Sequence, residues 1–317
     1  MISKQSWQGV TVYTLHNSQL SASLCPELGC NLYSIRDHAE DRELLRAPST
    51  PEELREQPIQ FGTPILMPPN RIRGGHFEFA GRAYRFEPLN QFGHHSHGLF
   101  RNRPWQVTET GENGASCYMT CELHTASFPD IQHVYPHDLH LSLTYELEGG
   151  TLTHRLTVTN RGQEAAPFGY GLHTWFMLDG EPEAWTLQLP SEQIWELDAH
   201  HIPTGIRHPL GDLEQLNAPG GLSLKGLDLD TVFQIGAASR TATLSRGSLE
   251  LRYTASDLFK QWVIYTKGTA DQYICLEPYT WVTNAPNLND SPDVTGFRAI
   301  EAGESLQLDV SLEMEHK

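Results

Sequence analysis

Long hydrophobic runs, helical periodicity, paired cysteines and positive charge are all scarce in this 317-residue chain. No apolar stretch approaches the ~20 residues that cross a bilayer, so a membrane partner is not expected. The N-terminal MISKQSWQGV has no apolar segment behind a basic start, which predicts a soluble, cytoplasmic protein without a secretory leader. The five cysteines, Cys25, Cys30, Cys117, Cys121 and Cys275, are odd in number and thinly spread, which argues against a secreted disulfide framework and for reduced thiols. Cys117 and Cys121 would share one face of a strand, but no second Cys/His pair has the spacing of a structural metal site, so they are expected to be buried packing residues. Lys and Arg total 22 against 39 Asp and Glu, a formal net charge of -17. Such a chain repels phosphate backbones and anionic surfaces, and nucleic acid is not expected as a partner. Internal repeats and low-complexity linkers are also missing, which removes solenoids and flexibly tethered domains.

What the chain does have is alternation. GVTVYTL, QLSASL, HFEFAGRAYRFE, HLSLTYEL, TLTHRLTVT, SLELRYT, QWVIYT and SLQLDVSLEM all read with period two and are rich in Val, Thr, Tyr, Leu and Phe, the pattern of strands with one buried face. Turn signals punctuate them: FAGRAY at Gly81, EGG before Thr151, NRG at Asn160 and APGG before Leu222. The expected architecture is all-β, a large antiparallel β-sandwich with a few short helices, forming one domain over residues 1–317. The Pro- and Gly-rich stretch from Glu181 to Gly226 is expected to make long excursions between sheets. One helix start is clear in STPEELREQ, where Ser49 or Thr50 can cap, Pro51 suits the first turn, and Glu52 and Glu53 favour its positive end.

Candidate chemistry concentrates in three distant segments: HSHGLFRNRPW around His97, GYGLHTWF around His173, and CLEPYTWVTNAPN around Glu277. Glu277 lies in an otherwise apolar strand end, where a carboxylate is rare unless paired or functional. His173 taken alone reads more readily as a satisfied core histidine than as a catalyst. Arg71 sits with Asn70 and Arg73 on a turn beside an apolar run; its guanidinium offers a rigid fork of donors for sugar hydroxyls or a carboxylate. His94, His95 and His97 invite a metal site, but on an extended strand only His95 and His97 share a face, which leaves at most two ligands and favours a polar handle in a cleft. No metal is expected.

Taken together, Asn70–Arg71, His97–Gly98, His173, Asp230 and LEPYTWVTNAPN resemble the aldose 1-epimerase (galactose mutarotase) family, in a branch with an EP-x-T-W…NAPN segment. The resemblance runs through nearly the whole chain. It implies a large β-supersandwich with an open cleft on one sheet. By position it implies Glu277 as general base and His173 as general acid, with Arg71 and His97 contacting or assisting at the sugar. Asp230 matches an aspartate that binds sugar hydroxyls, with Asp228 leaving the register open by two residues. The expected activity is interconversion of the α and β anomers of an aldose, and the expected partner is a small-molecule sugar.

The residues suit that chemistry. Ring opening of a hemiacetal needs one proton taken from the anomeric hydroxyl and one delivered to the ring oxygen, so a base and an acid suffice and no cofactor is required. A carboxylate near pKa ~4.3 and an imidazole near ~6.5 held protonated by acidic surroundings fit the two roles. Trp281 and Trp175 could each cover the apolar face of a pyranose, against the alternative of ordinary core tryptophans. Three other functions remain compatible. A hexose-6-phosphate epimerase would draw on Arg71, Arg73, Arg101 and Arg103 for phosphate. A non-catalytic carbohydrate-binding protein would have no use for a Glu/His pair. A glycoside hydrolase would need a second carboxylate across the bond, such as Asp230 with Glu277.

Overall fold

A computed structural model describes residues 1–266 and 272–317. Its largest sheet has nine strands, in the spatial order Gln106–Asn113, Ser116–His124, Leu139–Glu148, Thr151–Asn160, Ser305–His316, Leu249–Ala255, Thr241–Arg246, Thr186–Gln188 and Leu222–Ser223. The alternating sequences produce it directly. In Leu139–Glu148 the residues Leu139, Leu141, Leu143, Tyr145 and Leu147 point inward and are at most 1% exposed, while the residues between them face outward. Glu148 is joined to Thr151 by the Gly149–Gly150 turn, and the hairpin register sets Leu143 opposite Leu156 and Leu141 opposite Val158. Each such leucine contributes about 1.5–3 kcal/mol on burial, and a one-residue slip would turn the whole inner face outward.

The second large sheet has eight strands and carries the cleft. Seven follow one another as Pro203–His208, Ser191–Leu197, Asp230–Ile235, Gln261–Tyr265, Tyr273–Tyr279, Gly171–Leu172 and Ile65–Leu66; Thr174–Met177 also pairs with Tyr273–Tyr279. One face supplies Phe233, Trp262, Ile264, Ile274 and Leu276 to the same continuous core that the nine-stranded sheet enters. The N-terminal five-stranded antiparallel sheet adds Leu15, Leu20, Ala22 and Leu24 to that core. The architecture is thus the all-β, antiparallel one that the alternation predicts.

The helix also forms where expected, over Pro51–Glu56. Thr50 is its cap, its Oγ1 accepting from Glu53 N at 3.1 Å, while Ser49 N donates to Glu53 Oε2 at 2.7 Å. Buried Leu54 fastens it beside Val10, Val12 and Phe61. The stretch from Glu181 to Gly226 departs from expectation. It supplies Thr186–Gln188 and Leu222–Ser223 to the nine-stranded sheet, and Ser191–Leu197 and Pro203–His208 to the eight-stranded one. Its Gly and Pro residues mark turns and register shifts, and the shifts within Ser191–Leu197 hide its alternation from a sequence reading.

Candidate functional site

Sheet register assembles the floor of the cleft. Successive residues of a strand face opposite sides, so when Leu276 enters the core, Cys275, Glu277 and Tyr279 face the other way. Asp230, Tyr265, Cys275 and Trp175 are aligned across four neighbouring strands, and Val263 lies opposite Glu277. His173 precedes the Thr174–Met177 strand and is fixed through its backbone N, which donates to Pro64 O at 3.0 Å. A cleft of about 240 Å³ opens over this surface, lined by Asn70, Arg71, His97, His173, Trp175 and Asp230, with Tyr265 and Glu277 at its floor. It is slightly smaller than the ~300–1,000 Å³ of drug-sized sites, which suits one small polar molecule.

Two loops bring the remaining polar groups over that floor. Arg71–Ile72 pairs with His95–Ser96, and His97 N donates to Asn70 O at 2.8 Å. His97 has a positive φ of 63° and the next residue, Gly98, a φ of 75°; a Cβ on Gly98 would sit 2.5 Å from Met67 O, so only glycine fits there. This explains the His–Gly dipeptide. The NAPN segment is a clamp on the same loop: Asn284 N donates to Arg71 O at 2.8 Å, and Asn284 Oδ1 accepts from Arg73 N at 2.9 Å. Asn287 Nδ2 in turn donates to Asn284 Oδ1 and to His76 O.

Glu277 is 2% exposed. Its Oε1 lies 3.4 Å from His173 Nε2, and its Oε2 accepts from the Tyr279 hydroxyl. Burial, with the Asp230 charge, raises the Glu277 carboxyl to about 8 against the opposing hydrogen bond from Tyr279. Burial lowers His173 to about 3, and burial together with His173 and Arg71 lowers His97 well below its ordinary value. Burial thus opposes both the ionised Glu277 and the protonated His173 anticipated from sequence, and favours a proton on the carboxyl and a neutral imidazole. Nδ1 of His97, Nδ1 of His173 and Nε of Arg71, on three residues that line the cleft, are buried without a hydrogen-bond partner among the described residues.

The structure brings Arg71, His97, His173, Asp230 and Glu277 together on the cleft. Asp228 is exposed and outside it, which resolves the register in favour of Asp230. Trp281 is not brought there. It is 1% exposed, stacked on Phe297 with ring centroids 5.5 Å apart, and its environment is apolar core. The strand ends at Tyr279, and the chain beyond it packs Trp281 into a small apolar cluster with Leu66, Val263, Tyr279, Val282 and Ala285. Trp175 is the tryptophan that lines the cleft, locked by its Nε1 donating to Ile59 O at 2.7 Å and by the Arg46 guanidinium over its ring. Sequence reading missed Tyr265, Gln60 and the supporting Tyr279; the EPY tripeptide was visible, but the face of each residue depends on pairing.

The His94–His95–His97 run divides. His95 is buried against Phe86, His94 accepts from Gly74 N through Nδ1, and His97 faces the cleft. Among the described residues, two other groups have ligand atoms close enough for a metal: His173, Cys275 and Glu277 at the cleft floor, and Glu122, His124 and His140 on the nine-stranded sheet. In the second, Arg161 donates to His140 Nδ1 at 2.8 Å, and His140 Nε2 lies 3.1 Å from Glu122 Oε2 without a hydrogen bond between them. Cys117 and Cys121 are both buried and free.

This all-β, antiparallel fold is that of galactose mutarotase-like proteins. One such protein from Clostridium acetobutylicum superposes with a TM-score of 0.94 at 22% identity, covering 100% of this chain and 99% of its own. The aldose 1-epimerase family model matches residues 11–313, and the chain belongs to that family. Among curated proteins, the uncharacterized protein YihR of Escherichia coli K12 is 27% identical over 244 residues, 75% of each chain. Galactose mutarotase of Mus musculus is 24% identical over 213 residues, 63% of this chain and 58% of its own.

Proposed function

We propose that this protein interconverts the α and β anomers of an unphosphorylated aldose. The observation that carries the reading is the pair of Glu277 and His173, buried 3.4 Å apart on the floor of a cleft that suits one small polar molecule, where burial favours the proton on the carboxyl. Glu277 is the base and His173 the acid. Passage of this proton from Glu277 to His173 gives the reactive arrangement. Carboxylate Glu277 then takes the proton of the anomeric hydroxyl while imidazolium His173 delivers its proton to the ring oxygen. The bond between C1 and the ring oxygen breaks, the free aldehyde rotates about C1–C2, and the reverse transfers close the ring on the other face. Tyr279 supports the carboxylate by donating to Oε2 as negative charge develops. Arg71 and His97 supply donors to the substrate, Asp230 accepts from sugar hydroxyls, and Trp175 offers an aromatic wall.

The placement of the arginines favours a free sugar over a phosphorylated one. Arg73 is paired with Asp198 at 2.7 Å, Arg103 with Asp130, and Arg101 donates to the carbonyls of Ser96 and Gly98 beneath the His97 turn. Of the four candidates for phosphate, Arg71 alone lines the cleft. The test is exchange NMR of the anomers of galactose, glucose and glucose 6-phosphate at catalytic protein concentration. Accelerated exchange of a free aldose, lost in Glu277→Gln, is the expected result. Acceleration confined to the phosphate ester would replace this reading with a phosphosugar epimerase, and binding without acceleration would make the protein a carbohydrate-binding one.

A further inference from the structure

The hairpin between strands Ser191–Leu197 and Pro203–His208 ends at the cleft, and its tip is built around Asp198. Asp198 N donates to Ile202 O and His201 N to Asp198 O, each at 2.9 Å, while Asp198 Oδ1 accepts from His200 N at 2.9 Å and Ile202 N at 3.1 Å. Asp198 Oδ2 takes the Arg73 guanidinium at 2.7 Å. Arg73 is itself anchored, because its backbone N donates to Asn284 Oδ1. The tip is thereby strapped to the loop that carries Arg71.

This turn places His201 in the left-handed region, at a φ of 60°, with Nδ1 2.9 Å from Asp230 Oδ2. The Phe92 ring packs against His201 and stacks on His200, with centroids 5.9 and 5.7 Å away, and His94 closes on His200 from the other side. A histidine held in a left-handed conformation by a turn whose Asp198 carboxylate takes two backbone N–H groups and the Arg73 guanidinium is over-determined in its position. Its one polar contact with the cleft is Asp230.

We infer that His201 is a positioning residue for Asp230: it occupies Oδ2 and leaves Oδ1 aimed into the cleft as the acceptor that selects a sugar hydroxyl. The inference rests on the carbohydrate reading above. Asp230 stands two strands from Glu277, with strands about 4.8 Å apart, so its carboxylate meets hydroxyls away from the acid–base pair and the anomeric carbon on which that pair works. It therefore acts on affinity and on discrimination between hydroxyl patterns, while proton transfer is left to Glu277 and His173. Arg73 acts here at one remove, through Asp198.

The test compares the wild type with His201→Ala, His201→Asn, Asp230→Asn and the His201→Ala/Asp230→Asn double variant by exchange NMR and, independently of turnover, by sugar titration of tryptophan fluorescence. Loss of the 2.9 Å contact between Nδ1 and the charged Asp230 carboxylate predicts that His201→Ala raises KM and Kd about five- to twenty-fold with kcat within about two-fold. His201→Asn should keep both within about three-fold, since the Asn amide nitrogen stands where Nδ1 was and Asn tolerates the left-handed backbone. The double variant should be no weaker than Asp230→Asn alone, as expected for two residues acting through one contact. Unchanged affinity in His201→Ala, a fall in kcat instead, failure of Asn to rescue, or additive losses would each overturn the inference. If the wild type accelerates no exchange, the mutarotase reading fails, and the fluorescence titration still decides the role of His201: equal affinity in wild type and His201→Ala, or no sugar binding at all, refutes it.

Discussion

In the nine-stranded sheet, strand Leu139–Glu148 alternates buried and half-exposed residues along nearly its whole length, whereas in the eight-stranded sheet Tyr273–Tyr279 is buried at six consecutive positions from Ile274 to Tyr279. The first strand has a core on one side and water on the other. The second has the same core on one side and the walled cleft on the other, so Glu277 is withdrawn from water without being placed in the core. The polar groups are shared out less cleanly, since buried atoms without a partner among the described residues occur in the core as well, such as the Tyr145 hydroxyl and His154 Nδ1. Core-facing Tyr84 and His137 bond each other at 2.8 Å, and His154 bonds Tyr170 at 2.8 Å. Around the cleft, Nδ1 of His97, Nδ1 of His173 and Nε of Arg71 are likewise buried without a hydrogen-bond partner among the described residues.

Breaking the cleft side of this comparison should have the largest effect. Glu277→Gln keeps the shape of the side chain and removes the base; turnover should fall about 10²–10⁴-fold with an unchanged circular dichroism spectrum. His173→Asn should fall within the same range, and near-wild-type rates in either variant would remove that residue from the mechanism. On the core side, Trp281→Ala should cost about 3–5 kcal/mol of stability by urea unfolding, the range for deleting a buried aromatic, while Trp175→Phe should act on sugar affinity more than on stability. A stable Trp281→Ala protein with weakened sugar binding would put Trp281 back in the cleft.

The two sheets should also part company with pH. In the folded state Glu277 holds its proton up to about pH 8, while the unfolded carboxyl loses it near ~4.3. The folded state then binds the extra proton across that window, so burial of Glu277 costs stability progressively as pH rises through it. Glu277→Gln should be more stable than wild type at pH 8, by up to a few kcal/mol, with the gain vanishing toward pH 4. Paired urea titrations at pH 5 and pH 8 measure this, and a gain independent of pH would refute the buried, protonated carboxyl. The activity profile should lose its alkaline limb near pH 8, where the pair gives up its proton. The smallest effect belongs to Arg103, which is paired with Asp130 and lies outside the cleft: Arg103→Gln should change stability by less than about 1 kcal/mol and leave sugar kinetics unaltered.

Much of this molecule is legible in the sequence because its information is local. Period-two alternation identified the long strands, the Gly149–Gly150 turn their hairpin, and Thr50 with Pro51 the start of the helix. The short motifs at Arg71, His97, His173, Asp230 and Glu277 were visible too, since charge or imidazole among apolar residues is conspicuous wherever it falls. The stretch from Glu181 to Gly226 was misread because its strands are short and shifted in register, so its Gly and Pro residues outweighed its alternation.

What the sequence by itself determined is the antiparallel β class, the family resemblance and the set of residues able to do acid–base chemistry, because these depend on residue type and on spacing along one strand. What only the tertiary structure decided is which of those residues meet. Trp175 and not Trp281 faces the cleft, Arg71 stands there while Arg73, Arg101 and Arg103 are engaged elsewhere, Asn284 clamps the Arg71 loop, and His201 reaches Asp230 from a distant hairpin. Those contacts join residues tens to hundreds of positions apart, and the protonation of Glu277 and His173 follows from the burial they share. Neither register across strands nor exclusion of water is a property of any short stretch of chain, and so neither could be read before the sheets closed.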